Sequence, residues 1–241
     1  MTKPQPAEEQ AYRAAQTSLT RWGVLTGLIY LAFVLIFPLV PYIYYDGKML
    51  DLEMILRNGE RAMVWVYILG LAALFYAFWK IVQTLHSFSK KSPQKSKDLR
   101  KRVFLIGGIS GILLLGLYPI TALDVAVYVV NARNWVLYDA NPLFVPPGAF
   151  PNDPLSRLAG EYVDKTSPYG PVWEVIGRIP IQLGIRDIGA GIVAMKVISL
   201  LAYAGMAWLI GWTSKQQDKG FAVSGATAMA FFALNPLVLL E

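Results

Sequence analysis

Residues 124–135, DVAVYVVNARNW, set an acid, a phenol, an amide and an indole at helical spacing. Asp124, Tyr128, Asn131 and Trp135 fall at i, i+4, i+7 and i+11, so they share one face of a helix whose other positions are mostly Val and Ala. A carboxylate so placed can take a proton from a hydroxyl as a general base. Tyrosine and indole rings stack on the C–H faces of pyranoses. The face therefore reads as a sugar-handling surface with Asp124 as its base. The plainer reading of Asp124 is a helix N-cap or an acid at a membrane interface.

A second stretch, KTSPYGPVWE (165–174), crowds Pro168, Gly170 and Pro171 around Tyr169. Pro168 fixes one backbone angle, Gly170 frees another, and Pro171 suits the first position of a helix. The turn holds Tyr169 in one place and launches a helix over 171–184. There Val172, Trp173, Val175, Ile176 and Ile179 give an interfacial apolar set, and Glu174 and Arg178 form an i,i+4 pair. Pro180 should kink or end that helix. The plainer reading of Tyr169 and Trp173 is an aromatic belt at the membrane surface. Between the two stretches, Asn141-Pro142 marks another turn.

The elements that position these residues are membrane spans. Of 241 residues, 55% are hydrophobic and 16% charged, and the mean hydropathy is +0.44. Apolar runs are long enough to cross a bilayer, which takes about 20 residues. They fall at about Trp22–Tyr45, kinked by Pro38 and Pro41, and at about Ala62–Leu85, Val103–Ile120, Ile188–Trp212 and from Phe221 to Glu241. The expected fold is all-α: a polytopic transmembrane bundle of about five spans, with one long outward loop (121–187) carrying juxtamembrane helices.

Charge orients it. The net +6 does not point to nucleic acid, because the basic residues cluster in the short loop 86–102, where Lys90, Lys91, Lys95, Lys97, Arg100, Lys101 and Arg102 face only Asp98. That is the positive-inside pattern. It places the N-terminus in the cytoplasm and the segments 46–60 and 121–187 outside a plasma membrane. With no cysteine and a single His86, thiol chemistry, disulfides and Cys-based metal sites are excluded. Lys196 stands about 12 Å into the fourth span by helix rise, where an ammonium is costly and by default functional, pairing with phosphate or carboxylate unless it snorkels outward. Arg133, Lys165, Arg178 and Arg186 lie on the outward side as further cations.

The stretch LDVAVYVVNARNWVLYDANPLFVPP, then SPYGPVW, then LNPLVLLE resembles the GT-C integral-membrane glycosyltransferases, in particular bacterial polyprenyl-phosphate-mannose-dependent mannosyltransferases. The resemblance covers about residues 103–241. It implies that Asp124, in the first large outward loop just after a span, is the catalytic base. It also matches Asn141-Pro142 and the Ser167–Pro171 turn with Tyr169 to recurrent loop motifs, and Glu241 to a carboxylate that faces the active side from a later span. With the Tyr128, Asn131 and Trp135 stripe and Lys196 read above, these residues make up the expected substrate-binding set. The implied donor is a polyprenyl-phosphate sugar, the acceptor a glycan or lipid, and transfer inverts the anomeric centre with no metal or other cofactor. Members of the family carry more spans, so the chain is expected to be an N-terminal part of a longer protein and inactive alone. The competing classes are a non-catalytic membrane subunit and a transporter component. The latter would call for an internal repeat and helices broken at the bilayer midplane.

Overall fold

The computed structural model describes residues 6–40, 61–91, 96–216 and 224–240. The protein is an all-α membrane protein, and no strand occurs among the described residues. Helix α1 spans Pro6–Ile36, α2 Arg61–Lys91, α3 Ser96–Leu114, α4 Asp124–Tyr138, α5 Pro171–Gln182, α6 Ile188–Gln216, α7 Gly225–Ala233 and α8 Pro236–Leu240. Two 3-10 turns, Pro147–Ala149 and Ser156–Tyr162, lie between α4 and α5. Among the described residues three helical segments, Ala7–Ile36, Arg61–Ser89 and Ile188–Thr213, are long and apolar enough to cross a membrane.

Three expected spans differ in their bounds. The first helix starts earlier and stops at Ile36, because Pro38 pushes the residue before it out of the helical region; Pro41 lies outside the described residues. The helix expected over 103–120 runs instead over Ser96–Leu114, starting in the basic loop and ending before Pro119. The last expected span is interrupted between α7 and α8 at Asn235, whose side-chain oxygen accepts from the Leu237 N–H (3.1 Å) as the next helix starts on Pro236. The expected outer segment 46–60 lies outside the described residues.

The chain divides into two compact units. One comprises residues 1–35, 65–114 and 200–241. Its core is Leu19, Ile81, Leu85, Leu99, Val103, Ala207 and Ala230. The Ser18 and Thr84 hydroxyls bond across α1 and α2 at 3.1 Å, the kind of polar link that holds membrane helices together. Arg100, one of the loop's basic residues, is buried and donates to the Gly211 carbonyl at 2.8 Å.

The other unit comprises residues 36–64 and 115–199 and contains the segment 121–187. The chain after α1 pairs with the chain after α3: Leu39 N–H donates to Gly116 O and Tyr118 N–H to Phe37 O, both at 2.9 Å. This non-helical segment between α3 and α4 leaves carbonyls for other donors, and the Lys196 ammonium on α6 donates to that of Leu117. Asp187 caps α6 through the Ala190 N–H at 2.9 Å. Helix α6 then passes close to α4: a Cβ on Gly191 would stand 2.6 Å from Val129 Cγ1.

Candidate functional site

Helices α4 and α5 form one face of this unit. Tyr128 meets Trp173 (ring centroids 5.1 Å apart), and Trp135 meets Arg178, whose guanidinium sits 4.5 Å over the indole. The partners advance together along both helices, so α4 and α5 run in the same direction. A parallel pair needs a long crossover, and residues 139–170 supply it. Asp153 anchors that crossover. Its carboxylate takes Arg133 Nε at 3.0 Å, the Tyr138 hydroxyl at 2.7 Å and the Leu155 N–H at 2.9 Å. Burial works against its ionisation, but the Leu155 N–H, Tyr138 and Arg133 together hold the carboxyl below its usual range. The same bond to Asp153 pushes the Tyr138 phenol up.

Helix α5 leaves its apolar side chains Val172, Val175 and Ile179 exposed and buries a carboxylate: Glu174, only 2% exposed, shares the inner face with Gly177, Pro180 and Ile181. The expected Glu174/Arg178 ion pair is therefore not formed. Glu174 turns inward to accept from the Ser167 hydroxyl, and Arg178 turns to Trp135. Pro171 takes the first helical position after Gly170, whose φ of 81° only glycine adopts freely. Pro180 sits inside the helix, close to its end. The helix closes two residues later, with Gly184 N–H on Ile181 O (3.0 Å) and Ile185 N–H on Pro180 O (3.1 Å), the two bonds of a Schellman cap.

Asp124 is the first residue of α4. The N-cap position is Leu123, and no side chain caps the helix there. The N-cap reading of Asp124 thus does not hold, although a carboxylate in the first turn is favoured by the helix dipole. Tyr169 packs edge-on against Tyr128, with ring centroids 4.7 Å apart and an interplanar angle of 88°. Burial, then the neighbouring Asp124 carboxylate, pushes the Tyr169 phenol up. Its hydroxyl lies beside Asp124 but completes no hydrogen bond. Burial and Asp124 raise Tyr128 in the same way. Burial also raises Glu174, against the opposing pull of Ser167 and Asn131. Asn131 is 2% exposed, and its amide nitrogen faces Glu174 without completing a bond.

The structure thus gathers Asp124, Tyr128, Asn131 and Tyr169 into one cluster. Trp135 lies at the far end of the same helix face. Asn141 is spent locally: its side-chain oxygen accepts from Leu143 N–H at 3.0 Å, and the neighbouring Pro142 carbonyl accepts from Ser167 N–H at 2.8 Å. Lys196 is held at Leu117, and Glu241 lies outside the described residues. Of the other expected cations, Arg133 is committed to Asp153 and Arg178 to Trp135. Sequence reasoning missed Ser167, Trp173 and Glu174 as members of the cluster's lining. The Trp173 indole nitrogen and both polar atoms of the Asn134 side chain are buried without a partner. The available signal was a glutamate on the apolar-flanked helix α5, seven residues after a serine in a rigid turn.

Residues 25–241 match the family described as the alpha-(1->6)-mannopyranosyltransferase N-terminal domain. A relative, alpha-(1->6)-mannopyranosyltransferase A of Mycobacterium tuberculosis (strain ATCC 25618 / H37Rv), is 27% identical over 124 residues, which is 51% of this chain and 23% of the relative. The match thus spans less than a quarter of that protein. No solved structure matches. With a family match covering nearly the whole chain, including every described residue of the Asp124 cluster, this protein belongs to the alpha-(1->6)-mannopyranosyltransferase N-terminal domain family.

Proposed function

We propose that this chain carries the hydroxyl-activating side of a membrane mannosyltransferase whose donor is a polyprenyl-phosphate mannose presented at the outer face. The observation that carries the reading is Asp124 at the head of α4, beside an aromatic wall made by Tyr128, Tyr169 and Trp173. An acceptor hydroxyl gives its proton to the Asp124 carboxylate. Its oxygen forms a bond to the anomeric carbon as the bond from that carbon to the phosphate oxygen breaks. The electron pair leaves with the polyprenyl phosphate. Inversion to an α-linkage, the linkage in the relative's name, calls for a β-linked mannosyl phosphate donor. Tyr128 and Trp173 present ring faces and edges suited to a pyranose, and Trp135 extends that surface along the helix.

The test is Asp124→Asn in the full-length protein, assayed in membranes with radiolabelled polyprenyl-phosphate mannose. The amide keeps the shape but cannot take a proton. Turnover should fall by about 10²–10⁴, while the protein stays folded and still binds donor. Near-normal turnover in this variant rules Asp124 out as the base.

A further inference from the structure

We infer that Glu174, Ser167 and Tyr169 form a positioning relay for Asp124, in which a buried carboxylate sets a turn and the turn delivers a phenol to the base. This rests on the assignment of Asp124 as general base. The relay is continuous in the structure. Glu174 accepts from the Ser167 hydroxyl. The Ser167 oxygen in turn accepts from the Tyr169 N–H at 3.3 Å. The backbone is fixed at this serine by its own N–H on the Pro142 carbonyl at 2.8 Å, and after it by Pro168 and Pro171, which flank Tyr169 and Gly170. The Tyr169 ring is then clamped against Tyr128, which leaves its hydroxyl beside Asp124.

Two further observations favour this role over simple packing. Glu174 is almost fully buried, on the same inner helix face as Gly177 and Ile181. A carboxylate there costs stability unless something specific holds it. The Tyr169 hydroxyl is also buried with no completed bond, so it is available to donate to Asp124 when the carboxylate turns to take a proton. A donor to the ionised form stabilises it and fixes which oxygen faces the acceptor. The titratable groups around Asp124 and Tyr169 are Tyr128 on α4, Tyr162 on the 3-10 turn and Glu174 on α5.

The experiment uses the full-length protein in membranes, with polyprenyl-phosphate mannose as donor and a soluble alkyl α-mannoside as acceptor. Tyr169→Phe keeps the ring and removes the donor. It should lower kcat roughly tenfold to a hundredfold and leave the donor KM within about twofold. Ser167→Ala and Glu174→Ala should repeat this split. Ser167→Thr and Glu174→Gln, which keep the hydroxyl and an acceptor oxygen, should restore kcat. If Tyr169→Phe leaves kcat unchanged while Asp124→Asn is inactive, the relay is wrong and the base assignment survives. If Asp124→Asn itself retains turnover, the base assignment fails whatever the relay variants do. Loss of folded protein in the Ala variants together with wild-type kinetics in Tyr169→Phe also overturns the relay.

Discussion

Two buried carboxylates of the unit that carries the Asp124 cluster, Asp153 and Glu174, are tuned in opposite directions. Asp153 gathers a guanidinium, a phenol and a backbone N–H, so its folded form is held ionised. Its contribution to stability is complete above its unfolded value of about pH 4 and is lost as pH falls through the lowered folded value. Asp153→Asn leaves Arg133 without its counter-charge and should cost on the order of 3 kcal/mol. The check is thermal unfolding in detergent, where the deficit should widen from acidic to neutral pH. Turnover of the molecules that remain folded should change little, because Asp153 organises the crossover and does not touch the Asp124 cluster. Glu174 is raised by burial, so its ionisation works against the fold. Its favourable contribution belongs to the protonated form and fades as pH rises through the raised folded value. The melting temperature of Glu174→Gln relative to the wild type should therefore climb as pH rises, the reverse of Asp153→Asn. A parallel trend in both variants would remove the electrostatic account of one of them.

At the scale of elements, the site depends on how α4 is held from both sides. Helix α5 presses Trp173 and Glu174 against it, and α6 approaches so closely at Gly191 that a side chain there would overlap Val129. Gly191→Leu should force α4 to shift and cost about 1–3 kcal/mol. It should also lower turnover, because Val129 lies between Tyr128 and Asn131 on the helix that carries Asp124. The measurement is a melting curve alongside donor turnover; a variant as stable and active as the wild type would show that α4 tolerates displacement. On its other side α5 exposes Val172, Val175, Ile179 and, just beyond its end, Leu183. These residues suit the apolar boundary of a leaflet, as expected of an interfacial helix.

At the scale of the whole molecule, the basic loop 86–102 and the acid-bearing segment 121–187 make a prediction about sidedness. The chain has no cysteine, so a thiol introduced into it is a clean reporter. Asn152 is exposed in the crossover. A cysteine there should react with a membrane-impermeant reagent in intact cells, and one at Ser96 should react only after the membrane is opened. The reverse pattern would put Asp124 in the cytoplasm, away from a donor presented outside. The labelling experiment decides the side without reference to activity.

Much of this protein is legible from its sequence because a bilayer imposes simple rules. Apolar length gave the helices now seen over Arg61–Lys91 and Ile188–Gln216 almost to the residue at their outer ends. The spacing of Asp124, Tyr128, Asn131 and Trp135 placed them on one helix face, and Pro171 marked the first turn of α5. Periodicity defines a face but not the neighbour it meets. In a soluble helix the apolar face is the buried one. Here α5 leaves Val172, Val175 and Ile179 exposed and buries Glu174 beside Ile181, so the i,i+4 rule paired Glu174 with the wrong partner. Contacts such as Ser167 to Glu174, Arg133 to Asp153 and Lys196 to Leu117 join residues 7, 20 and 79 positions apart. Only the parallel packing of α4 and α5, and the break in the chain after α3, bring those groups together. Local sequence specified the helices and the chemistry they carry. The tertiary structure decided which polar groups were buried, because only packing determines where water and lipid are excluded.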